Sequence, residues 1–333
     1  MRLAILPTPV HILDRLTADL TGPQLWIKRD DLTGLAGGGN KTRKLEFLVG
    51  DAVRRQADTL LTVGAIQSNH TRQTAAAAAR AGLRCVLLHN AWTTEPAGSH
   101  YRATGNVLLS DLMGAQLYVD ETRRDLGTHG ALDTLTERLR GQGRWPYVIP
   151  RGGSDHELGS MGYVGCAAEI AAQSAELGVE FDYVLHCTGS SGTQAGLLAG
   201  FAALGVATRV IGVSDSDEVE VKQARVLRLA NATLATLGLR RRIAPADVEV
   251  LTTEPVPYGV PSPRILDAIR YLARTEGLLA DPVYEGRTIR ALLDLVAQGR
   301  LRREHKVLVL HLGGTPAIHG YAEQFGAPGL EAA

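Results

Sequence analysis

Residues 35–47 read LAGGGNKTRKLEF, in which three consecutive glycines and an asparagine lead to a lysine, Lys41, at the start of an amphipathic segment. A glycine-rich turn before a helix can hold a phosphate through its backbone N–H groups. The P-loop pattern, however, needs its lysine directly after the last glycine, and here Asn40 intervenes. The stretch therefore predicts a lysine on the first turn of a helix, beside a glycine-rich wall that a flat ligand could approach closely.

Lysine is rare in this chain, which makes the position of Lys41 informative. The sequence has only five lysines among 35 basic residues. Lys222 lies in a polar helical pattern and Lys306 at the start of a strand, so both are predicted to be solvated. Lys44 follows Lys41 by three residues and lies on nearly the same helix face, one turn further from the loop. A cation at a helix N-terminus opposes the helix dipole, and this field lowers an amine's pKa, as a Schiff-base lysine requires.

Composition indicates an ordinary globular protein. The chain has 333 residues, of which 45% are hydrophobic, enough for a large core and more typical of two lobes than of one. Its formal net charge is zero, which argues against nucleic-acid binding. No apolar run approaches the roughly 20 residues of a membrane span, and Pro7 and Pro9 interrupt any signal peptide, so a cytoplasmic location is predicted. Cys85, Cys166 and Cys187 are predicted to be buried free thiols rather than metal ligands.

Short β-branched runs alternate with longer segments of helical period, which is typical of a parallel α/β fold with helices on both faces of the sheet. The apolar runs YVLHC and VLVLHL suit strands that are buried on both sides. A lobe boundary is predicted near residues 149–159, where proline and glycine interrupt the pattern. The predicted strands are QLWIKR, TLLTVG, CVLLH, PYVIP, FDYVLHC, RVIGVS and KVLVLHL.

A second glycine-rich loop, HCTGSSGTQAG at residues 186–196, follows one of these strands and precedes a helical pattern. Its backbone N–H groups and hydroxyls could hold a phosphate without a positively charged side chain. Together with a Schiff-base lysine, this anion site points to pyridoxal phosphate. The residues of the predicted phosphate loop are Gly189, Ser190, Ser191, Gly192 and Thr193.

Two other classes remain open on these residues alone. A sugar- or nucleotide-binding α/β protein without catalysis would explain both glycine loops as ligand contacts, although it would have no use for Lys41. A serine hydrolase could use Ser68 or Ser190 as its nucleophile, but neither serine lies in a G-x-S-x-G pattern.

Five segments together resemble a known family: GLAGGGNKTRKLEF, GAIQSNHTRQTAA, TGSSGTQAG, YGVP and DPVYEGR. They are similar to the 1-aminocyclopropane-1-carboxylate (ACC) deaminases and D-cysteine desulfhydrases, pyridoxal-phosphate enzymes of fold type II, which is also the fold of the tryptophan synthase β-subunit. The resemblance runs from PTPV to HLGGTPAIHGY. It implies a two-domain α/β protein with parallel-rich twisted sheets flanked by helices, and a homodimer. Residues 1–50 and 156–333 would form the larger, cofactor-binding domain, and residues 51–155 the smaller inserted one.

The resemblance also implies roles for individual residues. Lys41 would bind pyridoxal 5'-phosphate covalently and residues 189–193 would bind its phosphate. Ser68 would serve the substrate carboxylate and count among the catalytic residues, and Asn69 would bind the cofactor's phenolic oxygen and contribute to the substrate site.

Two tyrosines would face the substrate by the same resemblance. On the sequence alone, Tyr258 and Tyr284 are more simply core residues with satisfied hydroxyl groups. The family pattern makes both catalytic, with Lys41 moving the proton and Tyr284 acting as nucleophile or acid–base partner. Glu285 would lie beside the pyridine nitrogen, where a carboxylate favours the protonated ring and strengthens it as an electron sink.

The two branches of the family differ at several positions. Glu285 and Leu312, in VYEG and HLGG, are the deaminase residues, and Trp92 in HNAW is also deaminase-like. His70 stands where deaminases usually have glutamine, and TGSSGTQAG is closer to the desulfhydrases. His70, Trp92 and Leu312 are predicted to contact the substrate. The first expectation is conversion of ACC to 2-oxobutanoate and ammonia. The alternative is conversion of D-cysteine to pyruvate, sulfide and ammonia, or the reaction of a related β-eliminating lyase.

Overall fold

A computed structural model of the chain describes residues 1–91, 100–122, 130–154, 156–215 and 218–326. Within these ranges the chain forms ten strands and ten α-helices. The strands are β1 (Val10–Ile12), β2 (Gln24–Arg29), β3 (Thr59–Ala65), β4 (Arg84–Asn90), β5 (Gln116–Asp120), β6 (Pro146–Ile149), β7 (Tyr183–Thr188), β8 (Arg209–Ser214), β9 (Glu249–Leu251) and β10 (Lys306–His311). The helices are α1 (Asp14–Leu20), α2 (Lys41–Arg54), α3 (Asn69–Ala81), α4 (Gly105–Leu112), α5 (Gly130–Gly141), α6 (Glu157–Leu177), α7 (Gly192–Leu204), α8 (Val219–Thr236), α9 (Pro263–Glu276) and α10 (Glu285–Ala297).

Two sheets organise the molecule. The larger has the order β1-β2-β10-β7-β8-β9, and its strands are parallel except for the edge strand β1. The smaller is fully parallel, in the order β5-β4-β3-β6. The predicted α/β class with parallel-rich, helix-flanked sheets is confirmed, as are all seven predicted strands. Three further strands, β1, β5 and β9, have three, five and three residues and were not among the predicted strands.

Helices cover both faces of the larger sheet because its central strands carry apolar side chains on both faces. Along β10, Leu308 and Leu310 pack into a core with α6, α7 and α8. Val307 and Val309, which alternate with them, pack into a second core with α1, α9 and α10. Successive side chains of a strand point to opposite faces, so a continuous apolar run requires cover on both sides.

All strands of the smaller sheet come from residues 59–149, whereas the larger sheet takes strands from both sides of that segment. Helix α2 packs against both α3, whose alanines lie in the core beside the smaller sheet, and α6, whose apolar residues lie in a core of the larger sheet. The predicted division into residues 1–50 plus 156–333 and residues 51–155 remains a prediction.

Two statements from composition can be checked directly. Cys85, Cys166 and Cys187 are buried free thiols, as predicted. Among the described helices, none combines the length and the apolar composition needed to cross a membrane.

Close packing of α6 against α7 depends on glycine. A methyl group at Gly196 of α7 would meet the Ser160 carbonyl and come within 2.5 Å of Tyr163 Cβ, both in α6. Gly165, on the exposed side of α6, has no atom within 4 Å of the corresponding position.

We therefore expect Gly196→Ala to lower the free energy of unfolding by about 1–3 kcal/mol, because the two helix backbones must separate. The matched control, Gly165→Ala, should leave it unchanged or raise it by up to about 1 kcal/mol, because alanine favours helix more than glycine does. Urea unfolding followed by circular dichroism measures both. Equal stability of the two variants would contradict this account of the helix contact.

Candidate active site

A cavity of about 470 Å³ lies where the carboxyl ends of the parallel strands β3, β7 and β10 meet. Loops at the carboxyl ends of parallel strands are the usual site for ligands in such folds. The cavity brings together predicted site residues that are far apart in the sequence. They are Lys41, Ser68, Asn69, His70, Gly189, Ser190, Ser191, Thr193, Tyr258, Tyr284, Glu285 and Leu312. Gly192 belongs to the same loop as the first residue of α7, and Trp92 lies outside the described residues.

The glycines before Lys41 shape the backbone rather than a ligand wall. Gly37, Gly38 and Gly39 all have positive φ angles of 80°, 69° and 125°, a region that favours glycine. A methyl group at Gly39 would come within 2.6 Å of the Gln73 side chain, so this face of the loop packs against protein. The expectation that these glycines line the ligand site is wrong. They bend the chain so that Lys41, the first residue of α2, points into the cavity.

Lys41 has the properties of a nucleophilic amine. Its Nζ donates a hydrogen bond to Asn40 Oδ1 at 3.0 Å. Burial lowers the pKa of Lys41 to about 8, although the nearby acidic groups, among them Asp215, Asp281 and Glu285, act in the opposite direction. About a tenth of the amine is then neutral at pH 7. The sequence analysis attributed a lowered pKa to the helix field, whereas the main cause is removal from water.

Lys44 is part of the site, although the sequence analysis did not include it. It is buried, and its Nζ donates to Ser154 Oγ at 2.9 Å. That hydroxyl is hydrogen-bonded to Ser190 Oγ at 2.8 Å, so the lysine lies directly behind the phosphate loop. Burial and the charge of Lys41 hold the pKa of Lys44 well below its usual value. An anion would stabilise both ammonium groups, and the signal in the sequence was the spacing of three residues.

The loop of residues 189–193 connects β7 to α7 and lies against the cavity. Ser191 has a φ of 70°, unusual for a residue other than glycine, and its buried Oγ has no hydrogen-bond partner in the described part of the chain. Thr188 Oγ1, just before the loop, is also buried without a hydrogen-bond partner among the described residues. The first turn of α7 adds backbone N–H groups that lack partners within the helix. Unpaired buried donors around a helix N-terminus fit a phosphate group.

The prediction that Lys222 is solvated is wrong. It is buried, and its Nζ lies 3.0 Å from Asp215 Oδ1 and also donates to the carbonyl of Gly189. The polar pattern of α8 was interpreted as a solvent-facing surface, but part of it faces the phosphate loop. Lys222 therefore anchors the start of that loop.

Two buried carboxyl groups lie near the start of α10. Asp281 caps this helix, because its carboxylate accepts from the backbone N–H groups of Val283 and Tyr284 at 2.8 and 2.9 Å. Burial raises the pKa of Asp281 to about 6. Burial, together with the charge of Asp281, raises the pKa of Glu285 well above its usual value, and Glu285 Oε1 is buried without a partner among the described residues. Such an oxygen fits a ligand that presents an N–H group, as a protonated pyridine nitrogen does.

Tyr258 and Tyr284 form a pair in the cavity wall. Their hydroxyl groups are hydrogen-bonded to each other, and their rings meet edge to face with centroids 5.8 Å apart. Burial raises the pKa of both hydroxyl groups, so both keep their protons at neutral pH. One hydroxyl proton therefore lies in the shared hydrogen bond, at the wall of the cavity.

The N-terminus of α3 forms another part of the cavity wall. Ser68 Oγ caps the helix by accepting from the backbone N–H groups of His70 and Thr71 at 3.2 and 3.3 Å, which leaves its own proton free to donate. His70 Nε2 lies 2.8 Å from Thr62 Oγ1, and that hydroxyl donates to the carbonyl of Ile149. The hydrogen of this pair therefore sits on Nε2, and Nδ1 is an unprotonated acceptor without a partner in the described residues. Burial and the two lysines hold the pKa of His70 well below its usual value.

Comparison with known proteins agrees with this geometry. The family model described as "Pyridoxal-phosphate dependent enzyme" matches residues 1–313. The chain is 46% identical over 324 residues to a protein from Burkholderia ambifaria (strain MC40-6), covering 96% of this chain and 95% of that protein. It is 43% identical over 318 residues to a protein from Bradyrhizobium sp. (strain ORS 278), covering 95% and 94%. Both relatives are named 1-aminocyclopropane-1-carboxylate deaminase.

A solved structure described as "Crystal Structure Analysis of the ACC deaminase homologue" has the same fold, with a TM-score of 0.88 and 34% sequence identity. The match covers 98% of this chain and 94% of that one. The amine of Lys41, the unpaired donors beside the loop of residues 189–193 and the unpaired carboxyl oxygen of Glu285 fit this cofactor. The chain therefore belongs to the family of pyridoxal-phosphate-dependent enzymes, has their fold type II and uses pyridoxal 5'-phosphate as its cofactor.

Proposed function

We propose that this enzyme opens the ring of ACC and releases 2-oxobutanoate and ammonia, and that it works as a cytoplasmic homodimer. The observation that carries the proposal is the buried, unpaired carboxyl oxygen of Glu285, a residue that lines the same cavity as Lys41. The naming of relatives that are 43–46% identical over nearly the full length as ACC deaminases supports it.

The residues of the cavity suit the three ends of the cofactor. Lys41 would bind it covalently, and Lys44 with the loop of residues 189–193 would hold its phosphate. Asn69 would hold the phenolic oxygen and Glu285 the ring nitrogen. When bound, pyridoxal phosphate supplies an electron sink that stabilises negative charge developing on the substrate.

Glu285 determines how strong that sink can be. A carboxylate in a buried site favours a proton on a neighbouring ring nitrogen far more than a neutral hydroxyl would. ACC has no hydrogen on its α-carbon, so its ring opens only through attack at a methylene carbon or removal of a proton from one. Both routes are harder than eliminating a thiol, and they need the stronger sink that Glu285 provides.

Lys41 and the tyrosine pair would handle the protons. Lys41, with a pKa lowered to about 8 by burial, can both take up and release a proton near neutral pH. Tyr284 would act on the substrate as nucleophile or acid–base partner, and the hydrogen bond from Tyr258 would stabilise its oxygen when it loses its proton.

The N-terminus of α3 would receive the substrate carboxylate. The free proton of Ser68 and the positive end of the helix both favour a negative group there. Because Ser68 is already the helix cap, this placement needs no rearrangement of the backbone.

D-cysteine is the second candidate substrate. The observation that favours it is His70, whose neutral ring presents the unpaired Nδ1 as a proton acceptor near Lys41 and Lys44. A buried acceptor of this kind suits a substrate that carries a thiol hydrogen.

The geometry of the site does not support the hypothesis of a serine hydrolase. Ser68 Oγ accepts from the helix backbone, and Ser190 Oγ is bonded to Ser154 Oγ. The ring of the site histidine, His70, makes no hydrogen bond to either serine, because its Nε2 is bonded to Thr62 and its Nδ1 has no partner among the described residues. Membership of the cofactor-dependent family also disfavours a binding protein without catalysis.

The role of Lys41 predicts a specific label. The purified protein should absorb visible light near 400 nm, roughly where Schiff-base forms of this cofactor absorb. Borohydride reduction followed by peptide mapping should find the cofactor on Lys41. Lys41→Ala should lose both the band and the label, while Lys306→Ala, at the start of β10, should keep them. A label on Lys44 would contradict the assignment.

The role of Ser68 predicts weaker substrate binding in Ser68→Ala. Loss of one hydrogen bond to a charged group costs about 1.5–3 kcal/mol, so the KM should rise roughly ten- to a hundredfold at unchanged cofactor occupancy. The substitution also removes a helix cap. Ser262→Ala is the matched control, because Ser262 Oγ caps α9 by accepting from Ile265 N–H at 3.2 Å. Equal KM values for Ser68→Ala and Ser262→Ala would refute the role.

The choice of substrate is tested on one wild-type preparation. The kcat/KM for ACC should exceed that for D-cysteine. Glu285→Thr combined with Leu312→Thr should reverse the preference, since loss of the carboxylate weakens the sink and thiol elimination tolerates a weaker one. If the wild type turns over D-cysteine and leaves ACC intact, the deaminase proposal is wrong and the second candidate stands.

A further inference from the structure

A chain of buried amides leads from Arg72 to the cavity. Asn106, in the first turn of α4, is fully buried. Its Oδ1 accepts from Arg72 Nε at 2.7 Å, and its Nδ2 donates to the carbonyl of Gln67 at 3.0 Å and to Asn69 Oδ1 at 2.8 Å. All three polar contacts of the Asn106 side chain are therefore made by groups around α3.

These contacts fix which way each amide faces. A guanidinium group can only donate and a backbone carbonyl can only accept. Arg72 therefore requires the oxygen of Asn106, and the Gln67 carbonyl requires its nitrogen. The second hydrogen of Asn106 Nδ2 then points to Asn69, whose oxygen must accept it.

Arg72 is a dependable donor in this position. It is buried, and its other two hydrogen bonds go to the carbonyl groups of Ala36 and Gly38, in the loop that delivers Lys41. Burial lowers the pKa of Arg72 to about 10, so it stays protonated at neutral pH. A buried guanidinium group that loses these acceptors would be left unsatisfied, which strongly disfavours any reversal of the amides.

Because Asn69 Oδ1 is turned toward Asn106, the NH2 group lies on the other side of the amide. Asn69 Nδ2 has no hydrogen-bond partner among the described residues, and it lies 2.9 Å from the position that a side-chain carbon on Gly314 would take. The side chain lines the cavity that holds Lys41. A group that can only donate here selects a ligand atom that accepts.

We propose that Asn106, held by Arg72 and the carbonyl of Gln67, is a positioning residue that makes Asn69 present its NH2 group, and not its carbonyl, to the cofactor. The inference rests on the proposed contact between Asn69 and the phenolic oxygen. A donor stabilises the negative charge of that oxygen, whereas a reversed amide would place two acceptors against each other. Asn106 would therefore act on the cofactor without touching it.

The readout is the pH midpoint at which the visible absorption band of the holoenzyme changes. The phenolic oxygen carries most charge when the chromophore has lost its proton, so a donor lowers the midpoint and its loss raises it. Asn69→Ala should raise the midpoint by about one to two units, which corresponds to one hydrogen bond to a charged group. The ionisable side chains around Lys41 are the same in every variant. They are Lys44, His70, Arg151, Cys187, Asp215, Lys222, Arg225, Tyr258, Asp281, Tyr284 and Glu285.

Asn106→Asp tests the relay. A carboxylate can only accept, so Asn69 would turn its NH2 group toward it and its carbonyl toward the cavity. The midpoint should then rise at least as far as in Asn69→Ala. Asn106→Ala, the larger deletion, should raise it less, because Asn69 stays free to face the cofactor with its NH2 group. A merely structural role predicts the reverse order.

A double variant distinguishes an effect of Asn106→Asp that acts through Asn69 from a direct effect of the added negative charge. If Asn106→Asp acts through Asn69, adding it to Asn69→Ala should leave the midpoint of Asn69→Ala unchanged. A further rise would mean that the charge acts directly, and it would overturn the inference. Asn231→Asp is the matched control, since Asn231 bonds to backbone groups of Leu227 and Ile243 far from the cavity. It should not move the midpoint.

A measurement on the wild type keeps the inference testable if Asn106→Asp does not fold. A neutron diffraction map of the deuterated holoenzyme distinguishes amide nitrogen from oxygen directly. Deuterium atoms on Asn69 that face the cofactor support the relay, and a carbonyl oxygen there overturns it. None of these measurements uses substrate, so they fail or succeed independently of ACC deamination. An unchanged midpoint in Asn69→Ala would instead remove the assumed contact and the inference with it.

Discussion

The site is organised around two ammonium groups on one helical turn. Lys41 and Lys44 lie three residues apart at the start of α2, and both are removed from water. Two buried like charges destabilise each other, so the surroundings must supply compensating groups. The surroundings do so with the hydroxyl of Ser154 and with Asp215, Asp281 and Glu285 near Lys41. A dianionic phosphate beside Lys44 would raise the pKa of that amine again and stabilise its charged form.

The two sheets contribute different parts of the cavity wall. The larger sheet contributes the phosphate loop after β7 and the Leu312 region after β10. The smaller sheet contributes the N-terminus of α3, after β3. The hydrogen bonds from Arg72 to the loop of Ala36 and Gly38 join these two parts. The group that would bind the substrate carboxylate is thereby held in register with the loop that carries Lys41.

Much of this could be predicted from the sequence, because the relevant signals are local. Seven strands follow from short apolar runs, and Lys41 and the loop of residues 189–193 follow from glycine next to a helix start. Lys44, Lys222 and Asp281 could not be found in that way, because each looks like an ordinary polar residue of a helix or turn. Their burial results from contacts with residues far along the chain, such as Ser154 for Lys44. At Gly37–Gly39 the glycine-rich pattern correctly indicated an unusual backbone conformation before α2. The prediction that these glycines line the ligand site was wrong, because they pack against protein.

The position of β10 has a consequence for the order in which this enzyme can be built. This strand lies in the middle of the larger sheet, between β2 and β7, although it is the last strand of the described chain. During synthesis the ribosome releases β2, α2 and the whole smaller sheet long before it releases residues 306–311. Until then β2 and β7 have no shared neighbour, and Asn40 lacks the carbonyl of Leu312 to which its backbone N–H donates at 2.9 Å. The loop that carries Lys41 therefore lacks this contact until residues 306–312 have left the ribosome.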